Sequence, residues 1–325
     1  HDRGPLTYFN HSMGPRETSQ TVRAALENGL KFGFVASSDS HSGFPGAYGE
    51  GLMAVHSRGR DRQSIIQAIN DRHTYALTGD RCLIDFDVDG QLMGSTIKAG
   101  ATAEIAYRVQ CPDAIEIVEI IQDGDIVHRD YPAPSVAGSI KPDTEFHVRF
   151  EWGWGPWGDL ALERIADWEF ELTAEGGKIL DILPCLQSGP FDENRRHKFD
   201  RRSDRQVSVV SYSSRRGAYR QNPNQSLVVK MIGDPSTRLN VTFKKPTEEH
   251  SSVTVDQLRK GSVTGFTGPF PKECFHWHRL VLPNESLVSG KVTISPGSER
   301  SYAYLRVKQE NGHLAWTSPV FMNYN

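Results

Sequence analysis

The sequence predicts an α/β segment over residues 1–81 followed by a mostly antiparallel β-sandwich region over residues 82–325, made of one or two sandwiches. Three observations carry that division. The first stretch alternates helical spacing with short apolar runs. From Cys82 onward, apolar and polar residues alternate with the two-residue period of half-buried strands. Asp-Gly and Asn-Gly pairs punctuate this second region in the manner of hairpin turns.

In chain order, Thr18 to Asn28 places Val22, Ala25 and Leu26 at helical spacing, with Thr18 or Ser19 as N-cap and Asn28-Gly29 as C-cap. Leu30 to Ala36 reads as a buried strand. A glycine-rich loop follows, with Gly43, Gly46, Gly49 and Gly51 serving tight turns; their spacing matches no phosphate-cradling fingerprint. Gly51 to His56 reads as a second strand. Asp61 to Arg72 reads as a helix with Ile65, Ile66 and Ile69 on one stripe. Strands are then expected at Leu83 to Val88, Ala103 to Val109, Ile115 to Gln122, Phe146 to Trp152, Trp168 to Thr173, Gln206 to Tyr212, Leu227 to Ile232, Leu239 to Phe243 and Ala303 to Lys308. Asp89-Gly90, Asp123-Gly124 and Asn311-Gly312 mark turns, Leu160 to Ala166 a short helix, and the arginine-rich Ser188 to Arg205 a surface loop.

Composition sets bounds. A net charge of −3 gives no electrostatic footprint for nucleic acid. No run of apolar residues reaches the roughly 18 needed for a membrane span. No signal peptide is visible, and a chain opening on His1 reads as a fragment or a processed product. The four cysteines, Cys82, Cys111, Cys185 and Cys274, form no C-x-x-C pair; buried thiols and one or two disulfides both fit.

The apolar run Gly33 to Ala36 leads into Asp39-Ser40-His41. On an extended strand, residues two apart share a face, so Asp39 and His41 can reach one cation or two adjacent ones. A carboxylate beside an imidazole suits Zn, Mn or Fe. A second Asp-x-His, Asp71-Arg72-His73, lies in a helical pattern where such positions diverge. His11, in a loop upstream of the first helix, is a further metal or substrate contact. Tyr48 and Glu50, in the loop after the motif, are candidate substrate-binding residues.

Leu30 to Leu52 resembles the last metal-ligand motif of the PHP superfamily, named for polymerase-associated and histidinol-phosphatase domains. Ala68 to Arg81 (AINDRHTYALTGDR) resembles the closing helix of its large bacterial branch, in which a PHP barrel precedes a C-terminal β-sandwich. Tyr304 to Val320 (YLRVKQENGHLAWTSPV) resembles that branch's terminal strands. The resemblance covers roughly residues 10–95 and the C-terminal end. It implies that residues 1–81 are the end of a distorted (β/α)7 barrel. It also implies a centre of two or three divalent metals, hydrolysis of a small phosphate ester, and Asp39 and His41 as catalytic metal ligands. The family's opening His-x-His and its middle ligands have no counterpart here. They would come from a missing N-terminal barrel segment, in cis or on a second chain.

Other clusters have quieter readings. His276-Trp277-His278 has metal-compatible spacing but no evident acidic neighbours, and fits an exposed strand face. Trp152, Trp154 and Trp157 could stack on sugar or pack over a sandwich edge. Arg195, Arg196, Arg201, Arg202 and Arg205 fit a phosphate-greeting patch or a solvated loop. No G-x-S-x-G elbow is present. The expected function is therefore the C-terminal part of a metal-dependent phosphoesterase. The alternative is a non-catalytic β-sandwich module that binds glycan or a protein surface.

Overall fold

The structure is a computed structural model that describes residues 21–38, 45–132, 140–155, 165–187, 195–214, 224–267, 273–295, 297 and 300–323. Among these residues the chain forms four sheets, packed as two sandwiches, one inserted into the other.

The host sandwich pairs an eight-stranded sheet with a four-stranded one. The larger sheet is centred on Arg300–Gln309, which pairs antiparallel with Ile115–Gln122, Leu314–Thr317 and Val320–Asn323. The smaller holds Leu287–Ile294, Ala103–Gln110, Leu83–Val88 and Gln91–Leu92. Inward residues of both, such as Phe86, Ile105, Val118, Leu305 and Val307, form one core. The inserted sandwich packs two five-stranded sheets. One holds Lys178–Cys185, Gln225–Gly233, Thr144–Trp154, Glu273–Trp277 and Val263–Thr267; the other is centred on Ile165–Glu175. Its core is rich in aromatics, with Phe150, Trp152, Trp168, Phe170, Phe243 and Trp277 all fully buried.

The Asp-Gly turns behave as their chemistry dictates. Asp89 and Gly90 both take positive φ (50° and 74°), as do Asp123 and Gly124 (50° and 85°). That is the two-residue turn whose twist matches antiparallel strands. Cys82 and Cys111 form a disulfide, and Cys185 and Cys274 are free thiols.

The α/β barrel fragment expected over residues 1–81 is not what the described part of that segment forms. Leu52–Val55 pairs antiparallel with Thr74–Leu77, and Thr74–Leu77 pairs antiparallel with Leu314–Thr317. These strands extend the large sheet of the host sandwich rather than a parallel barrel wall. Among the described residues the one parallel pairing is Val320–Asn323 with Thr96–Lys98, far from this segment. Residues 30–38 form no strand and join no sheet. Phe34 is buried, whereas Leu30 and Val35 are exposed, so the apolar run is a strap over the sheet held by its aromatic residues. Phe34 packs edge-on to Tyr304, with ring centroids 5.2 Å apart.

The two helices form close to where expected. Val22–Glu27 is capped by Thr21, rather than Thr18 or Ser19, through a side-chain bond from the Ala24 N–H. Arg62–Asn70 is capped by Asp61. Its Ile65, Ile66 and Ile69 stripe points to solvent, and Ala68 is its buried residue. Two further corrections concern loops. Ala166 lies in the strand Ile165–Glu175 rather than a helix, and the arginine-rich stretch contains the strand Lys198–Arg201.

Candidate functional site

The described residues on either side of the motif are held by specific contacts. On the incoming side, the Phe34 N–H donates to Ser318 Oγ (2.8 Å), and Thr74 Oγ1 donates to the Phe34 carbonyl (2.9 Å). On the outgoing side, Gly51 has φ +109°, and a Cβ there would sit 2.7 Å from the Ser37 carbonyl oxygen. Only glycine permits that approach. The segment between Ser37 and Gly51 therefore leaves and returns at one point. Asp39 and His41 fall inside it at positions outside the described residues, as does His11 upstream.

Tyr48 and Glu50 are described. Tyr48 is the anchor of the returning arm. Its N–H donates to the Leu186 carbonyl (2.7 Å), and its hydroxyl donates to Asp80 Oδ1 (2.9 Å). Its ring meets His313 edge-on at 4.9 Å and lies 5.3 Å from the Arg149 guanidinium carbon. Burial raises the Tyr48 pKa, against the opposing pull of Arg149, so the phenol remains a donor throughout the ordinary pH range. Glu50 is half-buried, and its N–H donates to the Ala47 carbonyl (3.3 Å).

Tyr48 thereby joins a buried polar network at the junction of the two sandwiches. Arg149 lies on Thr144–Trp154, whose alternate residues Phe146, Val148, Phe150 and Trp152 fill the inserted core. The pleat turns Arg149 to the opposite face, toward the host sandwich. There its Nη2 donates to both Asp80 oxygens (2.8 and 3.0 Å), its Nη1 donates to Ser226 Oγ (3.2 Å), and its Nε lies 3.6 Å from Asp113 Oδ2. Asn311 Nδ2 donates to Asp80 Oδ2 (2.6 Å) and to Asp113 Oδ2 (3.1 Å). Burial alone would raise the Asp80 pKa, but the charge of Arg149, with the hydrogen bonds from Arg149 and Asn311, outweighs it and the carboxyl is held below its usual range. His313 is shifted down, chiefly by burial, with Asp80 opposing, which favours a neutral ring.

The Asp80 carboxylate accepts from Tyr48, from Arg149 twice and from Asn311, which fills the roughly four acceptor positions of such a group. In the folded protein those donors occupy the carboxylate. The network clamps the inserted sandwich to its host. Beside it a cleft of about 220 Å³ runs between the sandwiches, with Arg81, His147, Asp181 and Lys230 on its walls.

The remaining clusters resolve locally. Trp152 and Trp154 are buried, so neither offers a stacking face, and Trp157 lies outside the described residues. His276 and His278 do have an acidic neighbour: Glu151 Oε2 is 2.9 Å from His278 Nε2. Glu151 stands opposite His276 on the next strand, a pairing distant in sequence. Arg195 pairs with Asp167 at 2.7 Å, and Arg201 binds the Leu180 carbonyl at 2.7 Å and the Ile179 carbonyl. Among the described residues no group of three or more His, Cys, Asp or Glu is arranged to hold a metal ion, and no helix is long and apolar enough to cross a membrane.

No family model matches the chain. An uncharacterized protein of Chlamydia muridarum is 34% identical over 135 residues, 37% of this chain and 22% of that protein. One from Chlamydia trachomatis serovar D is 33% identical over 140 residues, with the same shares of 37% and 22%. One from Chlamydia pneumoniae is 30% identical over 126 residues, 34% of this chain and 20% of that protein. The match thus spans about a fifth of the length of these curated relatives. Among solved structures, a variant of BcpA, the major pilin subunit of Bacillus cereus, aligns over 85% of this chain and 74% of its own at 9% identity, with a TM-score of 0.13, too low to carry a fold argument.

Proposed function

We propose that this chain supplies Asp39 and His41, with His11, as ligands in a metal-dependent phosphoesterase of the kind the PHP resemblance implies. The remaining ligands would come from a longer form of the chain or from a second polypeptide. What supports the reading is the donor set together with the anchoring of the loop that bears it. A carboxylate and an imidazole two residues apart suit Zn, Mn or Fe. The loop closes at Ser37 and Gly51 and is tied down by Tyr48. A ligand loop needs such fixed ends, because a metal tolerates little error in ligand placement.

Two or three bound metals would lower the pKa of a water toward neutrality and neutralise the phosphoryl oxygens. Asp39 would bind as a carboxylate and orient the hydroxide. His41 would bind as a neutral imidazole, with its second nitrogen fixed by an acceptor. Two ligands fall short of the three protein ligands typical of a catalytic zinc, so the pair is part of a larger set. Tyr48 keeps its phenol on Asp80 and so supports the returning arm, and Glu50, two residues further on, would be the substrate contact.

The test uses the protein in its longest natural form. Elemental analysis and hydrolysis of an aryl phosphate are compared for wild type, Asp39→Ala and His41→Ala. Each variant is expected to lose more than about tenfold in bound metal and in turnover. Variants that keep both metal and turnover would sink the proposal.

A further inference from the structure

The disulfide Cys82–Cys111 stands at the root of the junction clamp. Leu83–Val88 and Ala103–Gln110 pair antiparallel with Leu83 opposite Gln110, which sets Cys82 against Cys111 one step beyond the ladder. Their Cα atoms are 4.3 Å apart. That is the close spacing of a non-hydrogen-bonded pair. Consistent with it, both amides bond elsewhere: Cys82 N–H to the Asp80 carbonyl (3.0 Å) and Cys111 N–H to the Ser286 carbonyl (2.9 Å). Beyond this pair the two chains part, and two residues further along each carries a carboxylate. Asp80 and Asp113 both reach Arg149 of the inserted sandwich, and Asn311 bridges them.

We infer that the Cys82–Cys111 disulfide is a redox-sensitive pin for the joint between the two sandwiches. Formed, it holds the two carboxylate-bearing arms at the separation that a single guanidinium spans. Reduced, it leaves the arms held at their root by the Leu83–Gln110 end of the ladder and beyond it by side chains, and both Arg149 and the Tyr48 arm gain freedom.

The chemistry balances by exchange. The Cys82 thiolate attacks one sulfur of a small disulfide oxidant and releases one thiol. The Cys111 thiolate then attacks the Cys82 sulfur of the mixed disulfide and releases the second. Two protons and two electrons leave as the two thiols of the oxidant, and a dithiol reductant reverses the sequence. Both cysteines are 2% exposed, so exchange in either direction proceeds through local opening.

The intact protein, equilibrated with a glutathione disulfide couple, is alkylated under denaturing conditions before and after full reduction. Mass analysis is expected to show Cys185 and Cys274 alkylated before reduction and all four cysteines after it. Hydrogen exchange then compares the oxidised and reduced proteins. The amides of Tyr48 and residue 82 are expected to exchange at least roughly tenfold faster on reduction, while those of Phe170 and Val241 in the inserted core keep their rates. Cys82→Ala/Cys111→Ala should reproduce the reduced pattern, and Cys274→Ala the oxidised one. If the double variant does not fold, reduced wild type carries the same comparison. Four reactive cysteines before reduction, an unchanged rate at Tyr48, or equal acceleration throughout both cores would each overturn the inference.

Discussion

Arg149 and Asp80 form an ion pair with both side chains almost completely removed from water, at 7% and 0% exposure. Removing one member leaves the other charged and buried. Arg149→Leu should therefore cost roughly 3 to 5 kcal/mol in chemical denaturation, while Arg149→Leu combined with Asp80→Leu should recover most of that loss. A double variant no better than the single would mean that the other partners of Asp80 dominate. Asp80 also gives the clamp a pH signature. Its folded pKa is depressed, so its contribution is fully present above the ordinary aspartate value of about 4 and fades as the pH falls from there through the folded value. His197 acts in the same direction. Burial against Tyr212 lowers its pKa to about 4, so its neutral form is the folded one. Stability should fall as the pH drops from 6.5 toward 4, and His197→Gln should flatten that slope in a pH series of unfolding curves. At this scale little was legible beforehand. Asp80 and Asn311 are 231 positions apart, and no local pattern links them. The one available signal was an arginine set among Phe146, Val148 and Phe150, which marks a charge on a strand otherwise buried on its alternate face.

Among elements, strands with a strict two-residue period were readable because burial on one face imposes that period directly; Leu83–Val88 and Ala103–Gln110 form as their alternation dictates. The Asp-Gly pairs were readable because few residues accept positive φ at successive positions. The strap at residues 30–38 was not, since a short apolar run looks the same whether it joins a sheet or crosses one. Nor was the direction of the helix Arg62–Asn70. Spacing shows that Ile65, Ile66 and Ile69 share a stripe but not what lies opposite it. Because that stripe is exposed, Ile65→Ala and Ile69→Ala should each change stability by less than about 0.5 kcal/mol. Losses of about 2 kcal/mol or more in thermal unfolding, the range of core truncations, would mean that the stripe is covered in solution. Asp61→Ala, which removes the cap bonds to Ser64, should lower the midpoint in the same measurement.

At the scale of the molecule, sequence reading placed a β region after Cys82 and left open whether it held one sandwich or two. The structure has two, and the nesting explains why the order of strands could not disclose it. Ile115–Gln122 pairs with Arg300–Gln309 across the whole inserted unit, a contact with no local trace. The barrel expectation failed for a related reason. The strands Leu52–Val55 and Thr74–Leu77 find their sheet neighbour in Leu314–Thr317, at the far end of the chain. The inserted sandwich has its own aromatic core, so residues 140–282 expressed alone should fold cooperatively, with Trp152, Trp168 and Trp277 reporting a protected environment by fluorescence. A red-shifted, non-cooperative transition would show that it depends on its host.

That unit begins and finishes at neighbouring points. On its first strand, His147 exchanges two backbone hydrogen bonds of 2.9 Å with Val281 across an isolated bridge. A body tied off at such a neck behaves as a cassette. Its outer loops can lengthen or shorten over generations without forcing the host to re-thread, because the strain of any change is contained beyond the knot.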